Sequence, residues 1–457
     1  MLRQSDNAII ERVYYALEIE LTSPLSVFVG KKGNRYTAKD VIRNNEGNVF
    51  VPGTSITGAF RAYISRKDKK SADAFFGVGD EKWSKMEGRM SAFYVSDLFF
   101  ENSEVVHRRY LGKKDNDRTV KVDVEIVEAG AKGVLFFDYA SRDEESQKSF
   151  NAVVNQILYG IGRNEIRFGN STTRGYGYFR MNKIYRKAFS GEKGNVDEWM
   201  DFLDARGTME RLKVYGEGKT YDEWLKKSAV LDTLNSQFVK LQVPLQIDGG
   251  VSIRKSIIEP DRPESEPLKS NEKPVIPGRT WAGAIRKHTT KLLEELGCEE
   301  DRISEVIKEW FGTTWIGQSQ VTFSESIMEG TTEILNSKGK IDRFTGTSIK
   351  RSGFKEIVCC GGSTMLEIMV NRKYRNYKAL LGMLYLVIEE IQNGYLAIGG
   401  QTAIGKGVFK ENGDIILDKG NQFGNLSKEV CLAELYNFLM GRRNESQNSY
   451  RGFKKNR

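Results

Sequence analysis

Apolar and polar positions alternate along Val13–Leu21 and again along Phe238–Leu245, the period of a half-buried strand. After each run come a loop, a Pro-Gly pair and a change to helical period. In the first of these helices Ile56, Phe60, Tyr63 and Ile64 share one face. Ser55 and Thr280 are placed to cap the two helices. Strands are predicted next at Phe93–Phe99 and Val134–Tyr139, then a second helix carrying Phe150, Val153, Val154, Ile157 and Leu158. A glycine-rich turn leads into a last strand, Tyr176–Ile184, and the second half repeats the scheme with Leu380, Leu381, Leu384 and Ile388 on its second helix. The order β-α-β-β-α-β is that of the ferredoxin-like unit, so the fold class expected is α+β, with two tandem copies.

The repeat is visible in the residues. Pro52–Arg61 aligns with Pro277–Arg286, with five of ten positions identical. Val95-Ser96-Asp97 aligns with Phe323-Ser324-Glu325, Asp117-Arg118 with Asp342-Arg343, and Glu125-Ile126-Val127 with Glu356-Ile357-Val358. Gly169–Gly177 aligns with Gly399–Gly407, keeping three glycines. Matches in the same order, at offsets of about 225 to 231 residues, mark two copies of one domain. The expected division is a first domain at 1–189, a helical connector at 190–235, a second domain at 236–425 and a basic tail at 426–457. A Lys-, Arg- and Asp-rich insertion between the second and third strands of each copy, Val105–Val122 and Ile334–Ile349, reads as an extended hairpin.

Composition narrows the classes. Charged residues at 29% and hydrophobic ones at 39% describe a globular chain. Glycine is frequent, 45 of 457, while proline is not, at 8, which points to glycine-dependent turns rather than linkers. The longest apolar stretch, Leu380–Ile388, stops at Glu389, far short of the ~18 residues of a membrane span. The first residues lack the apolar region of a signal peptide. Four cysteines without a CxxC pair suit neither a zinc ribbon nor a disulfide scaffold, and the expected location is the cytoplasm. Of the net charge of +9, the segment Gly441–Arg457 contributes +5. The balance allows a polyanionic partner and equally a solvated basic tail.

Chemistry is sparse. The turns around Gly169, Gly175 and Gly177, with Arg174, and around Gly399, Gly405 and Gly407, with Lys406, offer bare backbone near a cation. Such turns either let a phosphate approach or simply need positive φ. Neither ends in GK[ST], so mononucleotide binding is not expected. Arg61, Arg279 and Arg286 lie by the Pro-Gly helices, whose N-termini favour anions. His288 falls on an apolar helix face, a packing position. His107, beside Arg108 and Arg109, is a contact or solvated residue rather than a catalyst, so any catalysis rests on carboxylates or metal. Asp40, between Lys39 and Arg43, is either such a carboxylate, near a held phosphodiester, or an ordinary paired loop acid.

Taken together, Val51–Arg61, the loop Gly169–Gly177 and Ile341–Gly346 resemble the RAMP superfamily, the RNA-binding subunits of CRISPR effector complexes. The two fused modules are similar to the fused backbone subunits of type III-D complexes. The resemblance implies RRM-type ferredoxin-like domains that grip guide RNA (crRNA), thumb hairpins that intrude into the guide–target duplex, and other effector subunits as partners. It implies RNA contacts at Ser55, Arg61, His107, Arg108, Arg109, Arg118, Gly169, Arg174, Gly175, Gly177, Arg279, Arg286, Arg343, Gly399, Gly405, Lys406 and Gly407. An Asp before the Pro-Gly helix supports metal-dependent cleavage of target RNA, with Mg²⁺ the expected ion; Asp40, twelve residues before Pro52, matches it. In the second module the same count reaches Ser265, and counting forward from Pro244 lands beside Asp261, with Glu264 and Glu266 nearby. Two other readings stay open: a non-catalytic structural subunit, and a guide-processing endonuclease.

Overall fold

A computed structural model describes residues 9–28, 40–78, 90–113, 119–190, 196–204, 208–227, 234, 236–256, 263–313, 317–339, 341–347, 349, 353–418 and 426–453. The chain forms two compact units. One comprises the chain up to Thr172 together with Tyr176–Ser236; the other takes Thr173–Gly175 and everything from Gln237 onward.

The first unit runs β1 (Glu11–Leu21), β2 (Phe50–Val51), α1 (Gly53–Lys67), α2 (Lys69–Phe76), β3 (Phe93–Val95), β4 (Leu98–Glu101), β5 (Val105–Lys113), β6 (Thr119–Val127), β7 (Lys132–Ser141), α3 (Glu144–Gly162) and β8 (Phe179–Ser190). Helices α4 (Val196–Asp204), α5 (Thr208–Tyr215) and α6 (Tyr221–Lys227) follow. The sheet order is β2-β4-β7-β1-β8, with β3 also on β7. This is the ferredoxin-like arrangement, in which the first strand lies between the third and the last. Alternation along β1 sorts its two faces. Val13, Tyr15, Leu17 and Ile19 join the core with Ile56, Phe60, Val154 and Ile157 of α1 and α3. Tyr14 and Ala16 join Phe202, Leu212 and Tyr215 of α4 and α5 on the other face. Trp199 Nε1 donates to the Tyr14 hydroxyl at 2.9 Å. Helices α4 and α5 therefore cover the sheet face on which an RRM stacks bases, so in this unit that face is occupied by protein, while Tyr221 and Trp224 of α6 pack against the first core.

Two local expectations need correction. The strand expected at Phe93–Phe99 is broken at Ser96-Asp97, because Asp97 leaves the ladder and its Oδ1 accepts the N–H of Gly53 at 2.7 Å. Nor is Ser55 a cap. Pro52, with φ −59°, holds the N-cap position, and its carbonyl accepts from Ser55 and Ile56. Pro277 does the same for the second module, which displaces Thr280 from the expected role. The proline ring presets the entry angle, and in α1 a carboxylate from across the sheet meets the first free N–H.

The second unit runs β9 (Phe238–Asp248), β10 (Gly250–Val251), β11 (Arg254–Ser256), β12 (Ser265–Pro267), β13 (Lys269–Ser270), β14 (Lys273–Ile276), α7 (Gly278–Glu295), α8 (Glu300–Phe311), β15 (Val321–Phe323), β16 (Ser326–Glu329), β17 (Thr332–Lys338), β18 (Phe354–Cys360), β19 (Ser363–Asn371), α9 (Tyr377–Gln392), β20 (Val408–Glu411), β21 (Ile416–Asp418) and α10 (Lys428–Phe453). Its main sheet, β13-β14-β16-β19-β9-β20, repeats the first topology. The insertions differ. In the first unit β5 and β6 form a two-stranded sheet, joined to the rest by the Leu25–Val127 bridge, whereas β17 and β18 belong to a sheet with β10, β12 and β11. Cys431 and Leu435 of α10 join the core with α9.

The backbone also corrects one repeat match. Leu25 bonds reciprocally with Val127, and Val251 pairs with Cys359. Leu21 then reaches Ala131, while Ile247 reaches Gly362, so the first unit carries one extra residue in this turn. Val127 thus matches Cys359, Glu125 matches Ile357, and Val124 matches Glu356. A one-residue slip reverses the faces, so the two glutamates that align in sequence point to opposite sides. Elsewhere the repeat holds in detail: Tyr63 lies on Gly160, and the matching pair is His288, 2.5 Å from Glu390. His288 is buried, as its helix position implied.

Candidate nucleic-acid interface

The two glycine-rich turns are built by the same bonds. Gly177 donates to Pro24 O at 2.9 Å, and Gly407 to Gly250 O at 2.8 Å. Asn170 donates to Ser26 O at 2.7 Å, and Gly400 to Ser252 O at 2.9 Å. Gly169, Gly175, Gly177, Gly399, Gly405 and Gly407 all have positive φ. At Gly177 a Cβ would also collide with the Phe168 carbonyl, so this glycine is required by the turn itself.

What the turns carry differs. Lys406 Nζ lies 2.5 Å from Oε1 of the fully buried Glu356, whose Oε2 accepts from Gln401 Nε2 at 2.8 Å. The second turn is therefore closed by an internal ion pair. In the second unit, Thr173–Gly175 packs at the start of α7, with the Arg174 carbonyl so close to Gly278 that a Cβ there would stand 2.6 Å from it. Thr173, Arg174, Ala282, Arg286, Phe311 and Ser319 help line a pocket of about 70 Å³. Burial, and then the like charges of Arg279 and Arg286, hold the Arg174 guanidinium below its ordinary value. Burial alone does the same to Arg286. Two guanidinium groups thus line one small volume, and the charge of Arg279 acts on one of them.

The other expected contacts are distributed. Arg61 pairs with Asp73 at 2.8 Å. Arg108 is buried, 3.5 Å from Glu128 and over the Tyr176 ring. Arg109 grips Asp123 through two bonds of 2.6 and 3.0 Å. His107 and Ser55 are exposed. Arg343 is exposed on a turn in which Asp342 Oδ1 accepts from Phe344 and Thr345. Arg118 and Asp261 lie outside the described residues.

Asp40 sits half-buried where its loop meets β6. Its neighbour Val41 donates to Glu125 Oε2 at 3.1 Å, and Arg43 Nη1 reaches the same oxygen at 2.9 Å. Glu264 is exposed, and its Oε2 accepts the Lys355 N–H at 2.6 Å. Backbone N–H groups, its own and that of Lys355, hold its carboxyl below the usual range. Glu266 is half-buried on β12, opposite Lys255 of β11. Among the described residues no three His, Cys, Asp or Glu side chains converge as a metal cage.

Sequence reading passed over Glu125 and Glu356 as anchors. The available signal was an acid inside an otherwise apolar strand in each copy. Among the described residues no helix is long and apolar enough to cross a membrane.

The family model of the RAMP superfamily matches residues 18–180 and 257–410, one stretch in each unit. No curated protein matches the chain. Among solved structures, a chain of the Type III-B Cmr-beta bound to cognate target RNA, determined by cryo-EM, is 17% identical, with a TM-score of 0.30. The match covers 40% of this chain and 62% of that one, less than two thirds of its length.

Proposed function

The chain belongs to the RAMP superfamily, and from that premise we propose that it is a guide-RNA-binding backbone subunit of a type III CRISPR effector complex, with two fused modules, whose first module cleaves complementary target RNA. The observation that carries the RNA-binding part is the pocket lined by both Arg174 and Arg286, with Arg279 near enough for its charge to act on Arg174. A phosphodiester entering this partly buried site brings a negative charge between the like-charged Arg174 and Arg286 and offers acceptor oxygens to their guanidinium donors.

The cleavage part rests on Asp40. Its loop is fixed against the base of the hairpin by Glu125, through Val41 and Arg43. In the proposed step a target 2′-hydroxyl loses its proton with the help of the Asp40 carboxylate, and its oxygen bonds to the adjacent phosphorus. The P–O5′ bond breaks and the 5′-oxygen takes up a proton, leaving a 2′,3′-cyclic phosphate and a 5′-hydroxyl. Mg²⁺, when bound by Asp40 and the phosphates, supplies charge stabilisation.

The test uses the full chain assembled with its guide, end-labelled complementary RNA, and Mg²⁺ or chelator. The expected result is cutting of the target in Mg²⁺ that Asp40→Asn or chelation removes, without loss of the guide. An intact target would leave a structural subunit, and cutting of the guide instead would make it a processing enzyme.

A further inference from the structure

We infer that the second module carries its own cleavage carboxylate, and that it is Glu266. The inference rests on the reading of Asp40 above and follows from backbone register. Ile42 donates to Val27 O at 3.1 Å, and Leu268 donates to Ile253 O at 2.8 Å. Phe50 donates to Ile42 O, and Val275 donates to Leu268 O. Phe28 bridges Val41 as Arg254 pairs with Pro267, and Arg43 bridges Val49 as Lys269 pairs with Pro274. These pairs, with the Ser26 and Ser252 bonds to the glycine turns, match Pro24–Phe28 to Gly250–Arg254 and Val41–Arg43 to Pro267–Lys269, with equal numbers of residues between the two ends. Ile42 therefore corresponds to Leu268, and two residues earlier Asp40 corresponds to Glu266.

This corrects both sequence counts. The count back from Pro277 reached Ser265 because the second loop has one residue fewer between this point and the Pro-Gly pair: ten steps separate Ile42 from Pro52, nine separate Leu268 from Pro277. The count forward from Pro244 started at the wrong proline, since Gly250 occupies the place of Pro24.

The surroundings corroborate the register. Val41 offers an N–H that Glu125 accepts. At the corresponding places stand Pro267, which has no N–H, and Ile357, whose side chain has no acceptor. Donor and acceptor have vanished together, the exchange that costs least. The cation three residues after each carboxylate is also kept, and each is held by an acid of the hairpin: Arg43 by Glu125 at 2.9 Å, Lys269 by Glu333 at 2.7 Å. A glutamate is one methylene longer than an aspartate, so Glu266 reaches further from its strand toward the same substrate groups: the 2′-hydroxyl and the phosphate beside it.

The full chain with its guide is given target RNA labelled at one end under single-turnover conditions in Mg²⁺. Two cuts are expected, separated by the length of guide that one module spans. Asp40→Asn removes one, Glu266→Gln removes the other, and Glu266→Asp keeps it. A wild-type complex that cuts nothing defeats the cleavage reading as a whole. A single cut, lost in Asp40→Asn and unchanged in Glu266→Gln, leaves that reading standing and overturns the second site. Two cuts that both survive Glu266→Gln overturn it as well. Because glutamine is isosteric, retained guide binding by Glu266→Gln separates loss of chemistry from loss of fold.

Discussion

The backbone N–H of Val41 donates to Oε2 of Glu125, 84 residues away in sequence, at 3.1 Å. That one oxygen also accepts Arg43, so a single side chain of β6 fixes the segment next to Asp40. Glu125→Ala leaves a buried N–H without its partner, and the expected loss of stability is about 1–3 kcal/mol. Urea denaturation measures the loss, and amide exchange at Val41 should quicken. Unchanged protection of that amide would mean the loop is held by other bonds.

Arg174→Ala and Arg286→Ala should weaken guide binding and flatten its salt dependence, the slope falling by roughly one for each phosphate that is no longer neutralised. Arg61→Ala should do less, because Arg61 already pairs with Asp73. Filter binding over a salt series ranks the three. Equal slopes for all of them would contradict the asymmetry of the two modules.

Glu356→Ala strands the Lys406 ammonium beside an emptied, buried site. Removing one partner of a buried ion pair costs about 3–5 kcal/mol, so the second unit should unfold at distinctly lower urea. Glu356→Ala together with Lys406→Met should recover most of the loss, a coupling that a double-mutant cycle reads directly.

Gly177→Ala places a methyl group against the Phe168 carbonyl at positive φ. Lower thermal stability is expected with guide binding otherwise intact, because this glycine serves the turn. A fully stable variant with weakened RNA binding would instead assign Gly177 to the ligand.

The ferredoxin-like order was legible because strand and helix periods were clean in both halves, as along Val13–Leu21 and at Leu380–Ile388. The sequence match at Glu125 and Glu356 misled for a physical reason: one extra residue in a turn shifts a strand without changing its composition. Counting back from Pro277 failed because the second loop is one residue shorter there, and counting forward failed because Gly250, not Pro244, stands in the place of Pro24. The arginine pocket was also hidden, since Arg174 stands more than a hundred residues from Arg279 and Arg286. Only the fold brings a turn residue to the start of α7.

The exchange of Tyr63 and Gly160 for His288 and Glu390 has an evolutionary consequence. A Cβ at Gly160 would stand 2.6 Å from the Tyr63 ring, so the tyrosine is admitted only by the glycine opposite. His288 leaves space for a longer partner and uses it for Glu390. After the duplication, neither residue was free to drift alone. Each step through a mixed pair passes either a tyrosine against a glutamate, which clash, or a buried imidazole without its acid. The two halves have thereby become mutually incompatible parts, and segments swapped between them at this helix pairing will function only when both members travel together.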